Sequence, residues 1–133
     1  MNKLEGHISR VEVSGSMALV TVEITSDLSL KAIVIDTPAT AAYLVEGHPV
    51  KALFKETEVV IGLYEDHRVS LQNRIGGKVL AIEKGQLLSR VRISTVAGEI
   101  RSVISTASAE KLELRPQAPV YAMVKLTEMM LSE

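Results

Sequence analysis

The chain has 133 residues, 47% apolar and 23% charged, the balance of a folded domain able to bury roughly 65–70% of its unfolded surface. Fifteen Lys and Arg against sixteen Asp and Glu leave a net charge of −1, which excludes a strongly basic nucleic-acid binder and an acidic tail. With no cysteine, disulfides, thiolate zinc sites, iron–sulfur clusters and cysteine nucleophiles are excluded too.

No apolar signal-like run follows Lys3 at the N-terminus, so a cytoplasmic location is expected. No stretch approaches the roughly 18 apolar residues of a membrane span. Ser14-Gly15-Ser16 closes a first hairpin, and Ala18, Val20, Val22 and Ile24 alternate with Thr21 and Glu23 in the manner of a half-buried strand. Thr37-Pro38-Ala39-Thr40-Ala41-Ala42-Tyr43-Leu44 places Pro after a Thr cap and predicts a short helix. Beyond a polar stretch from Gly62 to Ser70 the pattern returns. Lys84-Gly85-Gln86 and Ala97-Gly98 punctuate hairpins, Val91 and Ile93 alternate with polar neighbours, and Ser105-Thr106-Ala107-Ser108-Ala109-Glu110-Lys111-Leu112 predicts a second short helix.

The return is a duplication. Residues 49–61, PVKALFKETEVVI, and 119–131, PVYAMVKLTEMML, share six of thirteen identities and exchange one apolar residue for another at five more positions. Unrelated segments of that length share about one. Asn2-Lys3-Leu4-Glu5-Gly6-His7-Ile8 faces Asn73-Arg74-Ile75-Gly76-Gly77-Lys78-Val79 at an offset one residue longer. The organisation read from this is a first repeat over 1–62, a linker over 63–69 and a second repeat over 70–133. Each repeat reads strand, strand, strand, short helix, strand, strand, the element list of a small OB-like Greek-key barrel. The fold class is therefore mainly β, two tandem barrels with one short helix each.

Catalytic chemistry finds no support. His7, His48 and His67 have no partner at metal-ligand spacing, and no nucleophile elbow, P-loop or dinucleotide fingerprint is present. Gly76-Gly77 signals only close backbone approach or a bulge. The distinctive feature is a set of donors in the second repeat: Ser70-Leu71-Gln72-Asn73-Arg74, Ser105-Thr106-Ala107-Ser108 and Lys125. A deprotonated tetrahedral oxyanion has only acceptors, so its site offers donors and positive charge. About five charge-assisted hydrogen bonds at roughly 1.5–3 kcal/mol each suffice for the ~8 kcal/mol of a micromolar site, after entropic losses. Helix caps and solvated lysines are the competing account of the same residues.

The pattern Ser70-x-x-Asn73, Ser102-Val103-Ile104-Ser105-x-x-Ser108 and Val120-Tyr121-Ala122-Met123-Val124-Lys125-x-Thr127-Glu128 closely resembles the molbindin, or Mop, domain, also called the TOBE domain, here in two copies. The resemblance implies OB-like barrels that bind molybdate or tungstate in the cytoplasm at interfaces between barrels, in dimers or trimers of the chain. It implies no organic cofactor, metal ligand or catalytic residue, and neither membrane nor direct nucleic-acid binding. By position, Ser70, Ser105, Ser108 and Lys125 resemble the family's oxyanion contacts, with the Leu126 amide close behind. Gln72 stands where the family often has Arg; it can donate but brings no charge, and Arg74, two residues on, is expected on the same side as its substitute. In the first repeat Ile35 and Pro38 replace the two helix serines, which leaves Lys55 and Thr37 as candidates for a secondary or shared site.

The expected function is reversible oxyanion binding for storage, homeostasis or sensing. The alternatives are the sensor domain of a molybdate-responsive regulator, or the end domain of a molybdate-transporter ATPase. Further readings are a protein-interaction module, whose serines only cap, and a nucleic-acid-binding OB barrel. The latter needs a basic groove and stacking aromatics, against Phe54, Tyr43, Tyr64 and Tyr121 alone.

Overall fold

A computed structural model describes all 133 residues. Ten strands form two antiparallel sheets: β1 (Asn2–Ser14), β2 (Met17–Thr25), β3 (Leu28–Val34), β4 (Pro49–Phe54), β5 (Val60–Leu63), β6 (Asn73–Lys84), β7 (Leu88–Thr95), β8 (Gly98–Ser105), β9 (Pro119–Val124) and β10 (Met130–Ser132). Short 3-10 turns, Glu56–Glu58 and Leu126–Glu128, precede β5 and β10, and a helix α1 (Thr106–Lys111) follows β8. No helix is long and apolar enough to cross a membrane.

The duplication is visible in three dimensions. Both long first strands, β1 and β6, carry an irregularity at the same place, between Ile8 and Arg10 and between Val79 and Ala81, which bends each sheet toward closure. Gly6 and Gly77 occupy equivalent rungs, where a Cβ would run into the Glu23 and Ser94 carbonyl oxygens respectively. Of the Gly76-Gly77 pair, Gly77 marks close backbone approach, whereas a Cβ at Gly76 would meet the Tyr64 ring.

The sheets do not follow the repeats strictly. The first has the order β10-β4-β1-β2-β3 and the second β5-β9-β6-β7-β8, so each repeat gives its last strand to the other's sheet. Met130, Leu131 and Ser132 pair with Leu53, Ala52 and Lys51, while Val60 to Leu63 pair with Met123 to Val120. One core cluster of sixteen buried residues runs through both repeats, from Leu4, Phe54 and Ile61 to Ile75, Val120 and Met129. A smaller cluster around Ile8, Val20 and Leu44 belongs to the first repeat but is packed against Leu131 of the second.

Two asparagines tie the repeats further. The buried Asn73 side chain accepts from the Lys31 amide and donates to the Lys31 carbonyl, both at 2.8 Å. Its twin Asn2 does the same to Arg101, at 2.9 and 2.8 Å. Each carboxamide thus stands in for a strand residue on the outer edge of β3 or β8, satisfying backbone groups that an edge strand would leave open.

One expectation is corrected. The first repeat has no helix over Thr37–Leu44; residues 35–48 form successive turns. The Thr40 hydroxyl accepts from the Thr37 amide at 2.9 Å and donates toward Asp36 at 3.1 Å. Local side-chain bonds of this kind compete with helix propagation, and a nucleus this short has few backbone bonds to set against them. In the second repeat α1 is instead anchored from below. The Thr106 hydroxyl donates to the Gly85 carbonyl and lies 2.8 Å from the buried Ser89 hydroxyl. Ala18 and Asp36 occupy the equivalent positions of the first repeat, which cannot reproduce that network.

Candidate oxyanion site

The structure gathers the donors of the second repeat into two groups. The first is at the start of α1. Ser105 is the N-cap; its Oγ accepts from the Ser108 amide at 3.0 Å and donates to the Ser108 Oγ at 2.8 Å, leaving the Ser108 hydroxyl proton free to reach outward. Both serines are exposed and line a depression of about 440 Å3 with Thr57, Lys111 and an apolar wall from β5 and β8. Thr57 belongs to the 3-10 turn of the first repeat, and Lys55 is the residue that precedes that turn.

The second group lies at the opening of β6. Gln72 lines a depression of about 330 Å3 with Ser29 and Lys31 of β3. The last rung between β6 and β9 is Asn73 with Val124, so Gln72 and Lys125 are the next residues on the two strands. Lys125 precedes the turn Leu126–Glu128, whose first amides have no partner within the turn. Ser70, Gln72 and Lys125 are all exposed. Within one chain the serine pair and Gln72 line separate depressions, and Ser70 and Lys125 are on the lining of neither. Neither depression has a carboxylate on its lining. The larger hollow of about 550 Å3 beside β4 carries Glu5 and Glu133 and suits an anion poorly.

Arg74 lines the same depression as Gln72, the side its position suggested, but most of its guanidinium is turned to the chain. Its guanidinium donates to the carbonyls of Leu71 at 2.8 Å, His67 at 2.6 Å and Val69 at 3.1 Å, holding the linker against β6. Thr37 serves its turn: its carbonyl accepts from the Thr40 and Ala41 amides at 3.0 and 2.8 Å. Sequence reasoning did not single out Ser29, Lys31 and Lys111, which line the two depressions, or the buried pairing of Ser89 with Thr106. The recurrence of Asn at positions 2 and 73 was the available signal for the clamps that set β3 beside Gln72.

Charge around the sites is uneven. A hydrogen bond with Glu58 raises the Glu128 carboxyl above its ordinary value, helped by burial and by repulsion from Glu58, while Lys125 pulls the other way. Glu56 is held by Arg90, 2.9 Å from its Oε1 but not aligned for a hydrogen bond, and by the N-terminus at 3.4 Å.

Comparison with known proteins bears on the family and the fold. The TOBE domain model matches residues 70–131. Molybdenum-pterin-binding protein 1 of Clostridium pasteurianum is 33% identical over 64 residues, 47% of this chain and 94% of that protein. Molybdenum-pterin-binding protein MopA of Rhodobacter capsulatus is 30% identical over 133 residues, 98% of this chain; the chain spans 50% of MopA's length. The molybdenum import ATP-binding protein ModC of Mannheimia succiniciproducens is 33% identical over 86 residues, 64% of this chain and 24% of ModC. Among solved structures, the cytoplasmic molybdate-binding protein ModG, with molybdate bound, superposes with a TM-score of 0.88 at 24% identity, covering 98% of this chain and 94% of ModG. That likeness is one of fold, and it extends over both barrels.

Proposed function

Because this chain belongs to the TOBE-domain family of molybdenum-pterin-binding (Mop) proteins, we propose that it binds molybdate or tungstate reversibly and non-catalytically, for storage, homeostasis or sensing. The observation that carries this reading is the chemistry of the two depressions: hydroxyls, amides and ammonium groups without a lining carboxylate. A fully deprotonated dianion needs donors on every side and is repelled by an acceptor. Ser105 and Ser108 supply hydroxyls, Ser70 and Gln72 a flanking loop, Lys125 charge, and Leu126 a backbone amide. In one chain the serine pair and the Gln72 group are apart, so a neighbouring copy is what closes a complete site, and a homo-oligomer with ligand at its interfaces is the functional unit. Lys55 and Thr37 belong to a weaker first-repeat counterpart, where Ile35 and Pro38 replace the serines. The cytoplasm is the compartment we assign.

Equilibrium dialysis against molybdate, tungstate, sulfate and phosphate tests the proposal. Molybdate and tungstate are expected to bind in the micromolar range, which corresponds to about 8 kcal/mol, and the Lys125→Ala variant to lose roughly tenfold or more. Molybdate and tungstate held no better than sulfate would overturn the assignment.

A further inference from the structure

We propose that Lys31 and Ser29, both in the first repeat, are binding residues of the oxyanion site on its Gln72 side. The inference rests on the oxyanion reading above and adds the source of the charge that Gln72 does not bring. Lys31 and Ser29 share the depression of about 330 Å3 with Gln72. Both lie on β3, where alternate residues point to one face, so the hydroxyl and the ammonium are presented together.

Three observations single out Lys31. First, its backbone is fixed at this place by both hydrogen bonds of the buried Asn73 carboxamide, the residue next to Gln72. Second, its side chain is exposed and takes part in no ion pair, so its charge is available to a ligand. Third, the pseudo-equivalent residue behaves differently: Arg101 is clamped by Asn2 in the same way, but its guanidinium donates to Glu99 at 3.0 Å. Arg74 lines the same depression and keeps its charge, but its Nε and Nη2 donors are committed to three linker carbonyls, so Lys31 is the lining cation with all its donors free to turn to a ligand. A site of this composition spans both repeats, and its affinity depends on the clamp that registers one repeat on the other.

The test measures molybdate and tungstate affinity by calorimetry at low and moderate salt for the full chain and five variants. Lys31→Ala is expected to weaken binding about tenfold or more, with a shallower salt dependence, and Ser29→Ala about threefold. Lys31→Arg is expected to stay within about threefold of the parent, because the charge is kept. Lys3→Ala and Arg101→Ala, which make the same change of net charge elsewhere, are expected to bind within twofold. A parent that binds oxyanion while Lys31→Ala binds equally well overturns this inference alone. Equal losses in Lys31→Ala and Lys3→Ala also overturn it, by showing a net-charge effect. A parent that binds no oxyanion overturns the functional assignment together with it.

Discussion

Ser105 has two roles that substitution can separate. As N-cap it accepts the Ser108 amide, a contact whose loss to alanine costs about 0.5–2 kcal/mol; as a proposed ligand it must turn its one proton from the Ser108 hydroxyl to the anion. Aspartate caps as well as serine but offers an oxyanion only repulsion. Ser105→Ala is therefore expected to lower stability in urea unfolding and weaken binding, and Ser105→Asp to keep the stability while abolishing the binding. Retained affinity in the aspartate variant would show that Ser105 is only a cap. Glu99 gives a separate reading in pH. Hydrogen bonds from Arg92 and Arg101 hold its carboxyl at about 2, below the ordinary 4.5. Between those values the unfolded chain binds more protons than the folded one, so this contribution is full above about pH 4.5 and fades as pH falls toward 2. The stability gap between the parent and Glu99→Gln should accordingly hold from pH 6 to about pH 4.5, narrow by pH 3 and close only near pH 2. The serines were legible because capping and donation are both written in a four-residue window. Arg74 was not, because its acceptors are backbone carbonyls, which leave no mark in side-chain identity. Lys31 was hidden for a different reason: it comes from the other repeat.

At the scale of elements, hydrophobic alternation revealed the strands, and the duplicated segment revealed their order. It could not reveal the exchange of β5 and β10. The segments preceding and forming these strands are near copies, Lys55-Glu56-Thr57-Glu58-Val59-Val60-Ile61 and Lys125-Leu126-Thr127-Glu128-Met129-Met130-Leu131, so either sheet edge accepts either strand on local grounds. Which one is taken depends on the route of the chain through the shared core. The short helix shows the converse, for a good cap and a Pro at the first position did not suffice over Thr37–Leu44, whereas the Thr106 anchor did suffice for α1. Thr106→Val keeps the shape but leaves Gly85 O and the buried Ser89 hydroxyl short of a partner, a loss of about 1–3 kcal/mol. Hydrogen exchange should report it as faster opening of α1 than of β1–β4, since the network touches only the β6–β7 hairpin and the helix. Uniform loss of protection across both sheets would mean that the hydroxyl pair supports the whole fold instead.

For the molecule as a whole, the boundaries of the sequence repeats are not the boundaries of the sheets or of the core. The core of sixteen residues takes Leu4, Leu30, Ala32, Ala52, Phe54, Val59 and Ile61 from the first repeat and the rest from the second. Each sheet's fifth strand comes from the opposite repeat, and the two asparagine clamps cross the same boundary. Removing either repeat would expose the other's share of that core and open a sheet edge along its whole length. Phe54, fully buried at the centre, reports on the coupling: Phe54→Ala should cost about 3–5 kcal/mol and shift one calorimetric transition rather than split it in two. Cutting the chain is the sharper measurement. A protease site placed after Asp66, in the connection between β5 and β6, severs the covalent link but none of the strand pairs. The two pieces should then elute together under native conditions, melt in one transition, and part only in denaturant. Pieces that separated while each kept its β-sheet spectrum would show two autonomous barrels, and an oxyanion site spanning both repeats would lose its physical basis.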